Sequence, residues 1–247
     1  MECHVLGTVG YFPTRTRHTL SVFLPQHGIL LDAGTGVGRL AELAVTSHLD
    51  VYLTHAHLDH VMGLTYLLGL APVAGIEQIT VHAAAEKLAA VRDHLFSELL
   101  FPVKPPYRWR VLGREARLRG EGRLIAFPMS HPGGSLGFRL DWPGHSLAYV
   151  TDTTTCPGCD YVEIIKDVDV LLHECNFNAA DKDWAIKTGH SWTTAVGKMA
   201  RAVNPKRLYL IHLDPLAPDP DHPLNLDEVT RHFAGAEIAY DGMVIEF

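Results

Sequence analysis

The stretch Leu53–His60 reads LTHAHLDH: three histidines and a carboxylate within six residues, directly behind the apolar run DVYLT at 50–54. A short apolar run of that kind reads as a buried strand. His55 and His57 are two positions apart, so an extended backbone turns both rings to one side. Asp59 shares that parity, and a turn at the end of the cluster brings His60 round toward a second ion. Imidazole nitrogen and carboxylate oxygen suit zinc, manganese and iron. The plain alternative is a polar loop, and the rest of the chain decides against it.

The same pattern recurs where other strand-like runs stop. MSHPGGS offers His131, VTDT offers Asp152, and LIHLDP offers His212. Strand ends at one edge of a packed core converge, whereas scattered loops do not. Asp152 is the natural bridge between two ions, because a carboxylate has two oxygens and offsets part of four positive charges. LLHECNF adds His173 and Glu174 at a further strand end.

Around these positions strands and helices alternate. CHVLG, HTLSVFL and GILLD read as early strands, and GTGVGRLAELAVTSH as a tight glycine-rich turn opening a helix. Those glycines lack the GxxxxGK(S/T) of a phosphate loop. HVMGLTYLLGL reads as a helix and QITVHA as a strand. A helix is expected over 84–100, with Leu88, Leu95 and Leu99 on one stripe. RLIAFPMS, SLGFRLD and SLAYVTD are strands, YVEIIKD a short helix and VDVLLHE a strand. Ser191 is placed to cap a helix through Val203, with Val196, Met199, Ala200 and Val203 inward. RLYLIHLD is a strand, LDEVTRHF a helix, and EIAYDGMVIEF closes the chain. Grouped strands with helices between them fit an α/β architecture of two packed sheets with helices outside, in one domain over 1–247.

At 247 residues and 47% hydrophobic, the chain can build one sizeable core. A net charge of -7 argues against a general nucleic-acid binder. The exception is Lys104 to Arg123, with seven basic residues against two acidic ones. It reads as the solvated face of exposed strands; the alternative is a collar for an anionic substrate. The N-terminus carries no signal-peptide pattern. The longest apolar segment, Val61 to Gly75, is too short and too interrupted by Gly and Pro to span a bilayer. Four cysteines make no disulfide framework, so a cytoplasmic location is expected. Cys156 and Cys159, in CPGC, read as incidental thiols of a loop.

HxHxDH followed by His131, Asp152 and His212 in that order resembles the metallo-β-lactamase superfamily over nearly the whole chain. The resemblance implies an αββα four-layer sandwich and two divalent metal ions per chain, zinc first, with manganese or iron as alternatives. It places His55, His57 and His131 on one ion, Asp59, His60 and His212 on the other, and Asp152 between them. His60 sets the chain apart from β-lactamases with Arg there, and His57 from the oxygen-reducing members with Glu. LLHECNF and TGHSW look like the HEAT and GHS segments of the ribonuclease Z branch, and LGTVGYFPTRTRHTLSVFL like its opening. By that resemblance Glu174 and His190 form a catalytic pair. The carboxylate raises the ring's pKa and keeps a proton available for a phosphate oxygen. His173 is expected behind the site.

The chain departs from ribonuclease Z between His131 and Asp152, which are only 21 positions apart. That leaves no room for the extended arm that grips transfer RNA in that family. Length and the YDGMVIEF ending look more like the small phosphodiesterase that opens phosphoribosyl cyclic phosphate, without that enzyme's cysteine-rich zinc site. The expected function is a dinuclear phosphodiesterase acting on a small or cyclic anionic phosphodiester. Asp59, Glu174 and His190 are its expected catalytic residues, and neither a membrane nor folded transfer RNA is an expected partner. The alternatives are a lactonase or thioesterase on the same metals, a ribonuclease gripping with the basic segment, and a metal-stabilised binding protein. Quorum lactonases resembling this chain carry Tyr three residues after the bridging Asp, where Thr155 stands here. A homodimer is an allowed assembly.

Overall fold

The computed structural model describes residues 1–220 and 222–247. It has two compact units, Met1–Gly113 with Tyr240–Glu246, and Arg114–Ala239 with Phe247. In the first unit, strands β1 (Glu2–Gly7), β2 (Ser21–Leu24) and β3 (Ile29–Leu31) are antiparallel neighbours. β4 (His48–Tyr52), β5 (Gln78–Ala83) and β6 (Arg108–Val111) continue the sheet in parallel from β3. SVFL and ILL are buried at every position, as continuous apolar runs in a covered sheet are. Helices α1 (Leu58–Val61), α2 (Leu64–Val73) and α3 (Ala85–Ala90) belong to this unit. Leu64 and Leu67 of α2 join Val37 and Leu40 of a 3₁₀ turn and Leu6, Phe23, Leu30 and Val51 of the sheet in one core.

In the second unit β7 (Glu115–Leu118), β8 (Gly122–Met129), β9 (Ser135–Trp142) and β10 (His145–Val150) form an antiparallel meander. β11 (Val170–Glu174), β12 (Arg207–Ile211) and β13 (Ala236–Ile238) extend it in parallel. Its helices are α4 (Lys182–Thr188), α5 (Thr193–Val203) and α6 (Leu226–Thr230). The last strand, β14 (Met243–Glu246), pairs antiparallel with β1 and so belongs to the first unit.

Three local expectations need correction. The helix expected over 84–100 breaks early. A π turn over Val91–Leu95 follows α3, with the Phe96 N–H reaching back to the Val91 carbonyl, and Leu99 is 98% exposed. The wide turn breaks the 3.6 phase that put Leu88 and Leu99 on one stripe. Ser191 does not cap α5. Trp192 takes that position, and the Ser191 hydroxyl donates to the Thr153 carbonyl. The stripe Val196, Met199, Ala200 and Val203 is buried as expected. Cys156 and Cys159 are joined in a disulfide; their Cα atoms are 5.4 Å apart, within the bridging range.

The basic stretch forms β6 and β7, each the edge of its own sheet, with Arg108, Arg110, Arg117 and Arg119 exposed on or beside them. Charged edges resist pairing with another chain, which supports the exposed-strand reading. No helix among the described residues is long and apolar enough to cross a membrane.

Candidate active site

In the first unit His57 is extended, and α1 starts at Leu58. Asp59 and His60 therefore occupy the first turn of a helix. The rings of His55 and His57 lie 4.4 Å apart between centroids, and that of His60 lies 4.3 Å from His55. Gly34 makes this packing feasible. A Cβ there would sit 2.6 Å from the Asp59 carbonyl oxygen and 2.5 Å from that of Leu20. The glycine-rich turn is thus a close backbone approach behind the histidine cluster.

Sequence reasoning missed Asp32. It follows β3, is fully buried and has a φ of 54°. Its carboxylate accepts the Thr54 N–H at 2.8 Å and His60 Nδ1–H at 2.9 Å. The Thr54 hydroxyl donates to it at 2.9 Å and accepts from His55 Nδ1 at 3.0 Å. One carboxylate therefore holds both rings as Nδ1–H tautomers and leaves the lone pair on each Nε2, the arrangement that prepares histidine for a metal. The available signal was an acid ending an apolar run, GILLD.

In the second unit β10, β11 and β12 are parallel neighbours, so their C-terminal ends emerge at one edge. Asp152, Glu174 and His212 stand there. Asp152 and His212 have positive φ, 50° and 53°, a conformation that non-glycine residues adopt disproportionately at functional sites. His131 joins them from the loop after β8. Its Nε2 is 3.6 Å from Asp152 Oδ1, and His212 Nε2 is 3.4 Å from Asp152 Oδ2. Both rings are anchored from behind. His131 Nδ1 meets the Gly189 carbonyl at 2.9 Å, and the Asn176 amide contacts the His212 ring and donates to the His212 carbonyl at 2.9 Å. Asn176 had no sequence signal.

His190 lies between α4 and α5. Its ring centroid is 5.0 Å from that of His131 and 5.2 Å from that of His212, and its Nδ1 is 3.1 Å from Glu174 Oε1. Asp152, His190 and His212 each offer a ligand atom within 4.8 Å of one another. Glu174 is fully buried and also accepts the Thr153 N–H at 2.6 Å and the Ser191 N–H at 3.0 Å. Burial alone would raise its pKa. The charge and hydrogen bond of His190, with His212 adding to them, outweigh burial and hold it below its ordinary value. Burial lowers the pKa of His131, favouring the neutral ring that a metal ligand needs. His173 turns the other way. Its Nε2 meets the Tyr161 hydroxyl at 3.1 Å and its Nδ1 donates to the Glu174 carbonyl at 2.6 Å.

The donors fit a divalent cation. Two atoms bound at 2.0–2.2 Å to one tetrahedral ion lie about 3.4 Å apart. That is close to the spacing from Asp152 to the two rings, which is long for a hydrogen bond.

Comparison with known proteins agrees with this chemistry. Residues 27–213 match the β-lactamase superfamily domain. Ribonuclease Z of Acaryochloris marina is 30% identical over 302 aligned positions, spanning 98% of this chain and 96% of that protein. The metallo-β-lactamase fold protein YhfI from Bacillus subtilis superposes with a TM-score of 0.80 at 22% identity, covering 99% of each chain. A diphosphatase from the PhnP family superposes at 0.76 with 21% identity, covering 100% of this chain and 97% of that one. The expected metallo-β-lactamase fold is the fold of the chain.

Proposed function

The chain belongs to the β-lactamase superfamily, in its ribonuclease Z-like branch, and from that premise we propose a dinuclear phosphodiesterase acting on a small or cyclic phosphodiester. Membership makes it a metal-dependent hydrolase of the phosphodiester-cleaving kind, and the fold implies divalent ions. In this reading His55, His57 and His131 hold one ion, Asp59, His60 and His212 the other, and Asp152 both. Zinc suits the set, with manganese or iron as alternatives. Such ions, when bound, supply hydroxide at neutral pH and offset charge on phosphoryl oxygens.

Asp59 orients the attacking water. Asp32, directly and through Thr54, keeps His60 and His55 aimed. His190, held by ionised Glu174, carries the proton that the departing oxygen takes. The observation that carries the reading is this Glu174–His190 pair, with its ring within 5.2 Å of both His131 and His212. Cleaving a poor leaving group calls for such a donor, and metal binding alone does not. The 21-position connection and the -7 charge favour a small diester over folded transfer RNA. Residues 1–247 act as one hydrolase domain, with the cytoplasm as its expected compartment. Thr155 is buried with its hydroxyl on that of Tyr161, so it does not stand in for the lactonase Tyr.

Metal content and turnover of saturated protein test this. His190→Ala should keep the metal content of the unaltered protein, two ions per chain, and lose about 10²–10⁴-fold in kcat on an alkyl phosphodiester. A p-nitrophenyl diester, whose leaving group needs little protonation, should suffer less. Glu174→Gln should lose less than His190→Ala. Full activity of metal-replete His190→Ala would overturn the assignment, and loss of an ion in that variant would make His190 a ligand instead.

A further inference from the structure

The loop from Gly10 to Arg17, in the first unit, carries features that the hydrolase reading leaves unused. Tyr11 and Phe12 are adjacent aromatic residues, 75% and 37% exposed, packed edge to face with centroids 5.1 Å apart. Rings left in water forgo the large burial free energy that aromatics gain, and they are enriched where a protein meets a partner. Tyr11 also has a φ of 61°, which is unfavourable for a bulky side chain. The turn is held in that conformation from several sides. The Phe12 N–H closes on the Gly10 carbonyl at 2.8 Å, the Thr14 N–H on the Arg17 carbonyl at 2.8 Å, and Arg17 reaches the Thr8 hydroxyl at 2.9 Å. The result is that the Tyr11 N–H donates to Asp59 Oδ2 at 2.8 Å. The backbone presenting the rings is bonded to the carboxylate assigned to orient the attacking water.

We propose that Tyr11, braced by Phe12, is a stacking platform for one nucleobase, and that the diester taken at this site is a mononucleoside phosphodiester. The reaction rests on the hydrolase reading above; the platform rests on the loop alone. The exposed Tyr11 ring accommodates one base, and the short His131–Asp152 connection and the -7 charge favour a substrate no longer than one nucleoside. Stacking tolerates any base, since each has a π face, so the platform selects for the presence of a base and not its identity. A sugar ring, edged with hydroxyls, matches an apolar wall less well.

Kinetics of the metal-loaded protein on adenosine 2′,3′-cyclic phosphate and on glycerol cyclic phosphate, a diester without a base, test the platform. The unaltered protein should favour the adenosine diester about tenfold or more in KM, the reach of one stacked base. Tyr11→Ala should abolish most of that preference through KM, not kcat, and Tyr11→Phe should retain it. Phe12→Ala, measured beside it, covers the case in which Tyr11→Ala fails to fold. No preference in the unaltered protein, or an equal rise in KM for both diesters, would overturn the platform. If neither diester is cleaved, the hydrolase reading fails separately. Calorimetric titration with adenosine 3′-monophosphate then decides the platform: tighter binding to the unaltered protein than to Tyr11→Ala supports it, and equal or absent binding overturns it.

Discussion

Asp32 has an apolar strand behind it and donors from three groups on its carboxylate: the Thr54 N–H, the Thr54 hydroxyl and His60 Nδ1. Its two oxygens divide the work, with Oδ1 on the Thr54 amide and Oδ2 on His60. Asn has the same shape but one acceptor oxygen, so Asp32→Asn sets an N–H against one of those donors. The ring of His60 can then relieve the clash only by moving its proton to Nε2, the nitrogen assigned to the metal. Metal affinity should fall about 10–100-fold, as for other carboxylates behind histidine ligands, in competition with a chromophoric chelator. The metal-free protein should also lose about 1–3 kcal/mol in urea unfolding, the cost of a buried group left without its partner. Unaltered metal affinity in Asp32→Asn would remove this carboxylate from the site.

Strand β11, VLLHE, is buried at every position, and it separates what a sequence can reveal from what it cannot. Period, composition and stop signals located the strands, and their ends located the candidate ligands. Which way a polar side chain faces at such an end depends on neighbours far along the chain. His173 and Glu174 are adjacent, so the pleat sends them to opposite faces. Glu174 meets His190, whereas His173 meets Tyr161. Asp32 was missed for the same reason, since its value comes from pairing of β3 with β4, Leu31 against Tyr52, which brings Thr54 to it. The Ser191 cap failed because Glu174 and Thr153 claim that residue from other strand ends. Burial also makes His173 a pH probe. Desolvation pulls its folded pKa below the ordinary 6.5. A base so shifted contributes stability that is complete above about pH 6.5 and is lost as pH falls toward the folded value. Metal-free protein should therefore lose stability between pH 7 and 5, and His173→Gln should show a shallower slope of unfolding free energy over that window. Equal slopes would mean that folding leaves the ring's pKa unshifted.

Charge and length act over the entire surface, and both bear on how large a substrate the chain can hold. The alignment with the Acaryochloris ribonuclease Z has 302 positions, whereas 98% of 247 residues is about 242, so about 60 positions have no counterpart here. The net charge of -7 repels a polyanion at long range, and the basic cluster Lys104 to Arg123, which could oppose it, lies on and beside sheet edges β6 and β7. A small diester feels that field through one or two charges, but a folded RNA feels it across many phosphates. Trimming of precursor transfer RNA at about 150 mM salt should therefore be far slower than hydrolysis of the best small diester. Arg114→Ala combined with Arg117→Ala should leave small-diester turnover as it was. Efficient trimming would overturn the small-substrate reading, and the same double variant would then identify the grip. Each phosphate contact contributes about 0.9 to the slope of log affinity against log salt. If Arg114 and Arg117 each hold a phosphate, the slope for RNA should become shallower by about 2, and if they only blunt a sheet edge it should not move.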